Sequence, residues 1–236
     1  MAAFREHVTF SSVLGVVYGG VLNHYLGVDV TQAVLAGALC GFAGMLPDLD
    51  SDSGKPIREM FNLLSALGAF LLLHRLRRLN LAFEDRLLAA IAFYIFLRFG
   101  VRMIFQRLTV HRGMFHSIPA MFIAGGLTYL ATENLTPPTP WLLAVGVTLG
   151  FFSHLVLDEI YSVDLSGVIP KYKSSAGTAL KFYSASWGAS LFTWGILSLI
   201  AWQIVSQLGW IEHGPPTTAE LWSNTKLLFP RAGIPD

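Results

Sequence analysis

A single cysteine, Cys40, stands in a chain of 236 residues, so no internal disulfide can form. Charge is scarce as well. Asp, Glu, Lys and Arg make up 13% of the residues, against roughly 25% in an ordinary soluble domain. The formal net charge is only +1, which excludes a general binder of nucleic acid. Disorder is excluded by a surplus instead, since 17 Phe and 6 Trp are too many for a solvated chain. Hydrophobic residues reach 53%, and the mean hydropathy is +0.55. A soluble globule of this length cannot hide so much apolar surface. The sequence is that of an integral membrane protein, and its first partner is the lipid bilayer.

Apolar runs of spanning length predict an all-α, polytopic protein of about seven transmembrane helices. The runs cover 8–27, 31–46, 59–75, 86–106, 117–132, 141–158 and 187–210. Pro47 fixes the end of the second, because it disfavours helix at Leu46 and cannot donate a backbone bond. Arg5, Glu6 and His7 before a span-length run do not read as a cleavable signal. Gly15/Gly19, Gly37/Gly41 and Gly146/Gly150 recur at the spacing that lets helices approach closely in lipid. One transmembrane domain is expected over residues 1–210. Residues 211–236, with Pro215, Pro216, Pro230 and Pro235, read as a surface-lying tail. Residues 159–185 form the longest polar stretch between runs.

Threading seven spans through a bilayer sorts the polar minority. With His7 on side one, the second span returns Asp48, Asp50 and Asp52 to that side. The fourth returns His111–His116, and the sixth returns His154 and Asp158. All candidate ligands therefore gather at one membrane face of a single bundle.

Four clusters carry the chemistry. His7 alone reads most simply as an interfacial histidine. Leu46-Pro47-Asp48-Leu49-Asp50-Ser51-Asp52 packs three carboxylates into five residues, which repel unless a cation or basic group sits among them. A solvated acidic loop is its plain alternative. A calcium loop through Asp48, Asp50, Asp52 and Glu59 lacks the required glycine, since Ser53 holds that place and Pro56 stiffens the second half. In His111-Arg112-Gly113-Met114-Phe115-His116-Ser117 the two histidines are five apart and do not share a helical face, but Gly113 permits a turn that brings them together. Ser117 before Pro119 reads as a helix cap. His154 and Asp158, spaced i and i+4, share one face of the sixth span, as a helix-gluing hydrogen bond or as ligands. Imidazole and carboxylate without thiolate suit zinc, with manganese or iron also fitting, and the number of candidates suits one or two ions. Arg98 and Arg102, also i and i+4, need an anionic partner, either the site carboxylates or a phosphate.

The N-terminal His, the Leu-Pro-Asp-x-Asp turn, the His-Arg-Gly-x-x-His-Ser segment and the His-x-x-x-Asp helix together resemble the membrane-bound metal-dependent hydrolase family. That family includes LexA-regulated bacterial inner-membrane proteins and was long known only as a domain of unknown function. The resemblance runs over roughly residues 5–172, with Gly167–Pro170 as its continuation. It implies metal ligation by His7, Asp48, Asp50, His111, His116, His154 and Asp158. Met114-Phe115 departs from the small polar residue usual before the second histidine.

The function expected from these residues is a metal-dependent phosphoesterase acting on a lipid-like or amphiphilic substrate. A bound divalent ion lowers the pKa of a water to about 7. Asp50 or Asp158 serves as general base rather than ligand, and Arg112, with Arg102, stabilises charge on the phosphoryl oxygens. Two alternatives stand beside it. One is a non-catalytic metal-binding membrane protein of structural or stress-response type. The other is a metal-independent lipid phosphatase using His154 as nucleophile, although its companion Lys-x6-Arg-Pro and Pro-Ser-Gly-His elements are missing. A metal carrier would place ligands near the bilayer midplane with repeat symmetry, and neither is seen.

The expected location is the bacterial inner membrane. Arg5, Lys55, Arg58, Arg107, Arg112, Lys171, Lys173 and Lys181 on side one outnumber Arg75, Arg77, Arg78, Arg86, Lys226 and Arg231 on side two, which turns the site to the cytoplasm. Reporter fusions should then give a cytoplasmic signal at residue 175 and none at residue 80; a cytoplasmic signal at residue 80 alone reverses the orientation.

Overall fold

The structure, a computed structural model, describes residues 4–50, 55–79, 81–103, 114–164, 171–172, 180–184 and 186–229. In chain order the helices are α1 (Phe4–His24), α2 (Val30–Ala43), α3 (Lys55–Arg75), α4 (Phe83–Ile95) and α5 (Ile118–Thr132). They continue with α6 (Thr139–Ile160), α7 (Trp187–Gln207), α8 (Trp210–His213) and α9 (Thr218–Leu228). A π segment, Phe96–Val101, prolongs α4. Within the polar stretch 159–185, a two-residue antiparallel ladder pairs Val163 with Tyr172 and Asp164 with Lys171. Two compact units result: Met1–Pro47 with Met114–Asp236, and Asp48–Gly113.

In the first unit, α6 is the central element, packed against α1, α2 and α5, with α7 on the outer side of α5. The buried positions of α1 are His7, Ser11, Gly15 and Leu22. Steps of four and seven put them on one face, which is the face turned to α2 and α6. Gly27, at φ 68°, makes the turn out of α1. Asp29 then caps α2 by accepting the Thr31 N–H at 2.8 Å.

Glycine decides how closely these helices approach. A Cβ at Gly15 would lie 2.2 Å from the Gly37 carbonyl oxygen, and one at Gly150 would lie 1.9 Å from that of Cys40. The glycine spacings therefore act as the packing devices expected from the sequence. An apolar cluster of Leu22, Val28, Ala33, Ala36, Leu142 and Leu143 closes one end of the unit, and Phe229 packs against it. Phe229, just past the end of the last helix, thus reaches this cluster. Helix α9 starts from a capping box in which Thr217 and Glu220 satisfy each other's backbone N–H groups.

Each of the seven apolar runs coincides with a helix, so the all-α reading holds. Seven full spans are not seen among the described residues. Two helices are long and apolar enough to cross a membrane: α6, with mean hydropathy 1.7, and α7, with 1.5. Helices α2 and α5 are apolar but have 14 and 15 residues. Their length of about 21–23 Å falls short of a hydrocarbon core of about 30 Å. Helix α2 stops at Gly44, three residues ahead of Pro47. Helix α3 opens on Lys55, Arg58 and Glu59, and the apolar run of α4 is broken by Arg98 within the π segment.

Gly150→Ala is expected to force α6 off α2 at a cost of about 1–3 kcal/mol, read as a lower Tm in detergent. Gly20→Ala, where a Cβ meets nothing within 4 Å, should leave Tm unchanged or raise it slightly; equal losses in the two would refute the packing account.

Candidate metal centre

Three parts of the first unit bring titratable side chains to one point. His7 enters from the first turn of α1, and His154 and Asp158 come from the last two turns of α6. His116 lies two residues ahead of α5. Its position is set by Ser117, whose hydroxyl accepts the Ala120 N–H at 3.3 Å and donates to the Met114 carbonyl. Ser117 is the cap that the sequence suggested, with Pro119 in the first turn. The N–H of Ile118 also donates to the Lys181 carbonyl at 3.1 Å, tying this corner to a distant part of the chain.

All four side chains are buried, at 1–3% relative exposure. Asp158 is the hub. Its Oδ1 lies 3.2 Å from His7 Nε2, and its Oδ2 lies 3.7 Å from His154 Nε2 and 4.0 Å from His116 Nε2. The His7 and His154 rings stack with centroids 3.7 Å apart and an interplanar angle of 12°. His116 meets His154 edge-on at 5.5 Å.

One hydrogen bond fixes the chemistry of His154. Its Nδ1 lies 2.7 Å from the Gly44 carbonyl oxygen. A carbonyl can only accept, so Nδ1 carries the proton, and in the neutral ring Nε2 holds the lone pair. That lone pair faces the carboxylate of Asp158. Two electron-rich groups turned toward each other call for a proton or a cation between them. A backbone carbonyl holding the far nitrogen is the usual outer support of a metal-binding imidazole.

The donors suit a divalent ion by type, imidazole with carboxylate. His7, His154 and Asp158 each offer one ligand atom, and these lie within 4.8 Å of one another. His7 Nδ1 is buried without a hydrogen-bond partner, a position open to rearrangement of the ring.

Asp48 lies in the short 3-10 turn Pro47–Asp50 and begins the second unit. The side chain of Asp50, and all of His111 and Arg112, lie outside the described residues. Arg102 caps the π segment of the second unit. Sequence reasoning missed the Gly44 carbonyl. Its only trace in the chain is a glycine at the end of α2, where a Cβ would come 2.2 Å from that of Ser11. Ser11 itself donates to the Gly41 carbonyl at 2.8 Å and keeps α1 on α2 at this level.

Fold and site together define an all-helical protein in which a buried His–Asp centre is built on α1, the turn before α5 and the membrane-length helix α6. The chain belongs to the YdjM inner membrane protein family, whose model matches residues 1–221. It is therefore an inner membrane protein, and the match reaches well beyond the 5–172 of the motif resemblance, taking in α7, α8 and the start of α9. No curated protein and no solved structure gives a significant match.

Asp158→Asn keeps the shape of the hub and removes its charge. The loss of stability should be about 1–3 kcal/mol, measured by thermal unfolding in detergent. A variant as stable as wild type would show that the carboxylate is not what holds the imidazoles.

Proposed function

We propose that this protein is a membrane-embedded, metal-dependent hydrolase whose ion is held by His7, His116, His154 and Asp158. The carrying observation is the tautomer of His154. With Nδ1 bound to the Gly44 carbonyl, Nε2 presents a lone pair beside the same carboxylate that meets His7 and His116. Asp48, Asp50 and His111 complete the candidate ligand set implied by the motif resemblance. Zinc suits this mixture of imidazole and carboxylate best, with manganese or iron next. When bound, such an ion supplies Lewis-acid activation of water at neutral pH.

The protein's own groups do the rest. Gly44 holds His154 in one orientation, and His154 together with His7 orients Asp158. Met121, Phe151 and Leu155, with Leu46 and Ile118, form an apolar cluster beside His154 that keeps bulk water away. Asp158, or Asp50, takes a proton as general base where it is not a ligand. Arg112 is the candidate group for charge building on phosphoryl oxygens. The substrate class supported by a polar centre at the ends of membrane helices is a lipid or amphiphilic phosphoester, with its head in water and its tail in lipid. Seven membrane passes with the centre facing the cytoplasm complete the reading.

A closed structural metal site is the second reading. The burial of all four residues favours it, since structural sites leave no open coordination position.

Elemental analysis of detergent-purified wild type should find one or two equivalents of transition metal, lost in His154→Ala and in Asp158→Ala. The metal-loaded protein should hydrolyse at least one member of a broad phosphoester panel that includes lipid substrates. Metal without any hydrolysis would select the structural reading. No metal in a folded protein purified without chelators would overturn both.

A further inference from the structure

A different pair of charges sits in the second unit. Arg98 lies inside the π segment and Arg102 caps it, one turn on. Extra-wide turns of this kind interrupt helices mostly where function requires it. Phe96, Phe99 and Met103 around them are exposed at 55%, 58% and 50%. In a membrane protein such apolar exposure marks a lipid-facing side. A cation beside lipid needs an anionic partner or aromatic shelter.

Arg98 has part of that shelter. Its Nη1 donates to the Tyr94 hydroxyl, and its guanidinium carbon stands 5.6 Å over the Tyr94 ring and 5.4 Å over that of Phe99. Arg102 has less, for its Nε is buried without a hydrogen-bond partner. Among the described residues neither arginine forms an ion pair.

The register of the α3–α4 hairpin supplies a third group. A Cβ on Gly68 would meet Leu97 at 2.9 Å and Phe93 at 3.2 Å, so the two helices cross at that level. Asn62, six residues earlier on α3, is then level with Arg102 in the antiparallel pair. Its Oδ1 is also buried without a hydrogen-bond partner.

Depth completes the picture. Glu84 and Asp85 open α4 at its polar start, and Arg102 lies eighteen residues beyond Glu84, about 27 Å along the axis. On the seven-pass reading proposed above, α4 with its π segment crosses the bilayer, which puts Arg102 near the headgroup level of the second interface. Arg98 and Arg102 are four residues apart, close enough along one helical segment for their guanidinium groups to converge on a single phosphate.

We propose that Arg98 and Arg102 bind the phosphate of an anionic phospholipid headgroup at the π segment of the second unit. The phosphate supplies the charge that the described residues lack. The acyl chains lie along the exposed face of Phe96, Phe99 and Met103. No part of this rests on the metal or on hydrolysis.

The test uses the full-length protein, delipidated in neutral detergent and titrated with phosphatidylglycerol or phosphatidylcholine, with bound lipid read by native mass spectrometry. Wild type should prefer phosphatidylglycerol. Each of Arg98→Gln and Arg102→Gln should lower that preference by about fivefold, while Arg102→Lys should keep most of it. Metal content and the Tm of the His–Asp centre variants serve as the separate readout, and His154→Ala should leave the lipid preference intact. Equal binding of the two lipids by wild type overturns the proposal whether or not the variants fold. So does an unchanged preference in a folded double variant. If inorganic phosphate in excess stabilises the protein as well as phosphatidylglycerol does and displaces it, the site takes a free anion and the lipid assignment falls.

Discussion

The hydrogen bond from His154 to the Gly44 carbonyl joins the architecture to the chemistry. It forms only because α6 lies almost against the backbone of α2, and that approach exists only because Gly150 has no side chain to hold it off the Cys40 carbonyl. The same bond sets which nitrogen of His154 keeps its proton. The surroundings of Asp158 are set in turn, since the carboxylate then faces a lone pair on one side and the His7 ring on another. A change of a few tenths of an ångström in helix packing would therefore be felt as a change in donor geometry.

In lipid this is an economical way to build a polar centre. Burial of apolar side chains contributes little to helix association when the surroundings are equally apolar. Close backbone contact at glycine and internally satisfied polar groups must supply the attraction. Ser11 on the Gly41 carbonyl and the Tyr18 hydroxyl on the Leu142 carbonyl at 2.8 Å are bonds of this type, reaching from α1 to α2 and to α6. They hold α1 in the register that delivers His7 to the α6 residues. The arginines of the π segment stand apart from this pattern, for among the described residues neither forms an ion pair.

Much of the fold was legible. The apolar runs located the helices, Ser117 with Pro119 marked the start of α5, and the i, i+4 spacing put His154 and Asp158 on one face. Helix lengths were less so. Helix α2 stops at Gly44, short of the membrane thickness, because its last turn is shaped to meet Ser11 and His154. Within the proline-containing tail, Phe229 packs against an apolar cluster formed by residues of α1, α2 and α6 and the turn between the first two.

The chain by itself determined the class of protein and the chemistry of its polar residues, since composition sets solvent preference and side-chain type sets donor type. It also determined that His7, His116, His154 and Asp158 would lie toward the same end of their helices, because apolar runs of similar length alternate in direction. Tertiary structure alone decided that these four gather at one point and which backbone carbonyl holds His154. Those facts depend on distances between segments up to 150 residues apart in the chain. Such distances are set by glycine contacts and helix register, which periodicity along one strand of sequence does not encode.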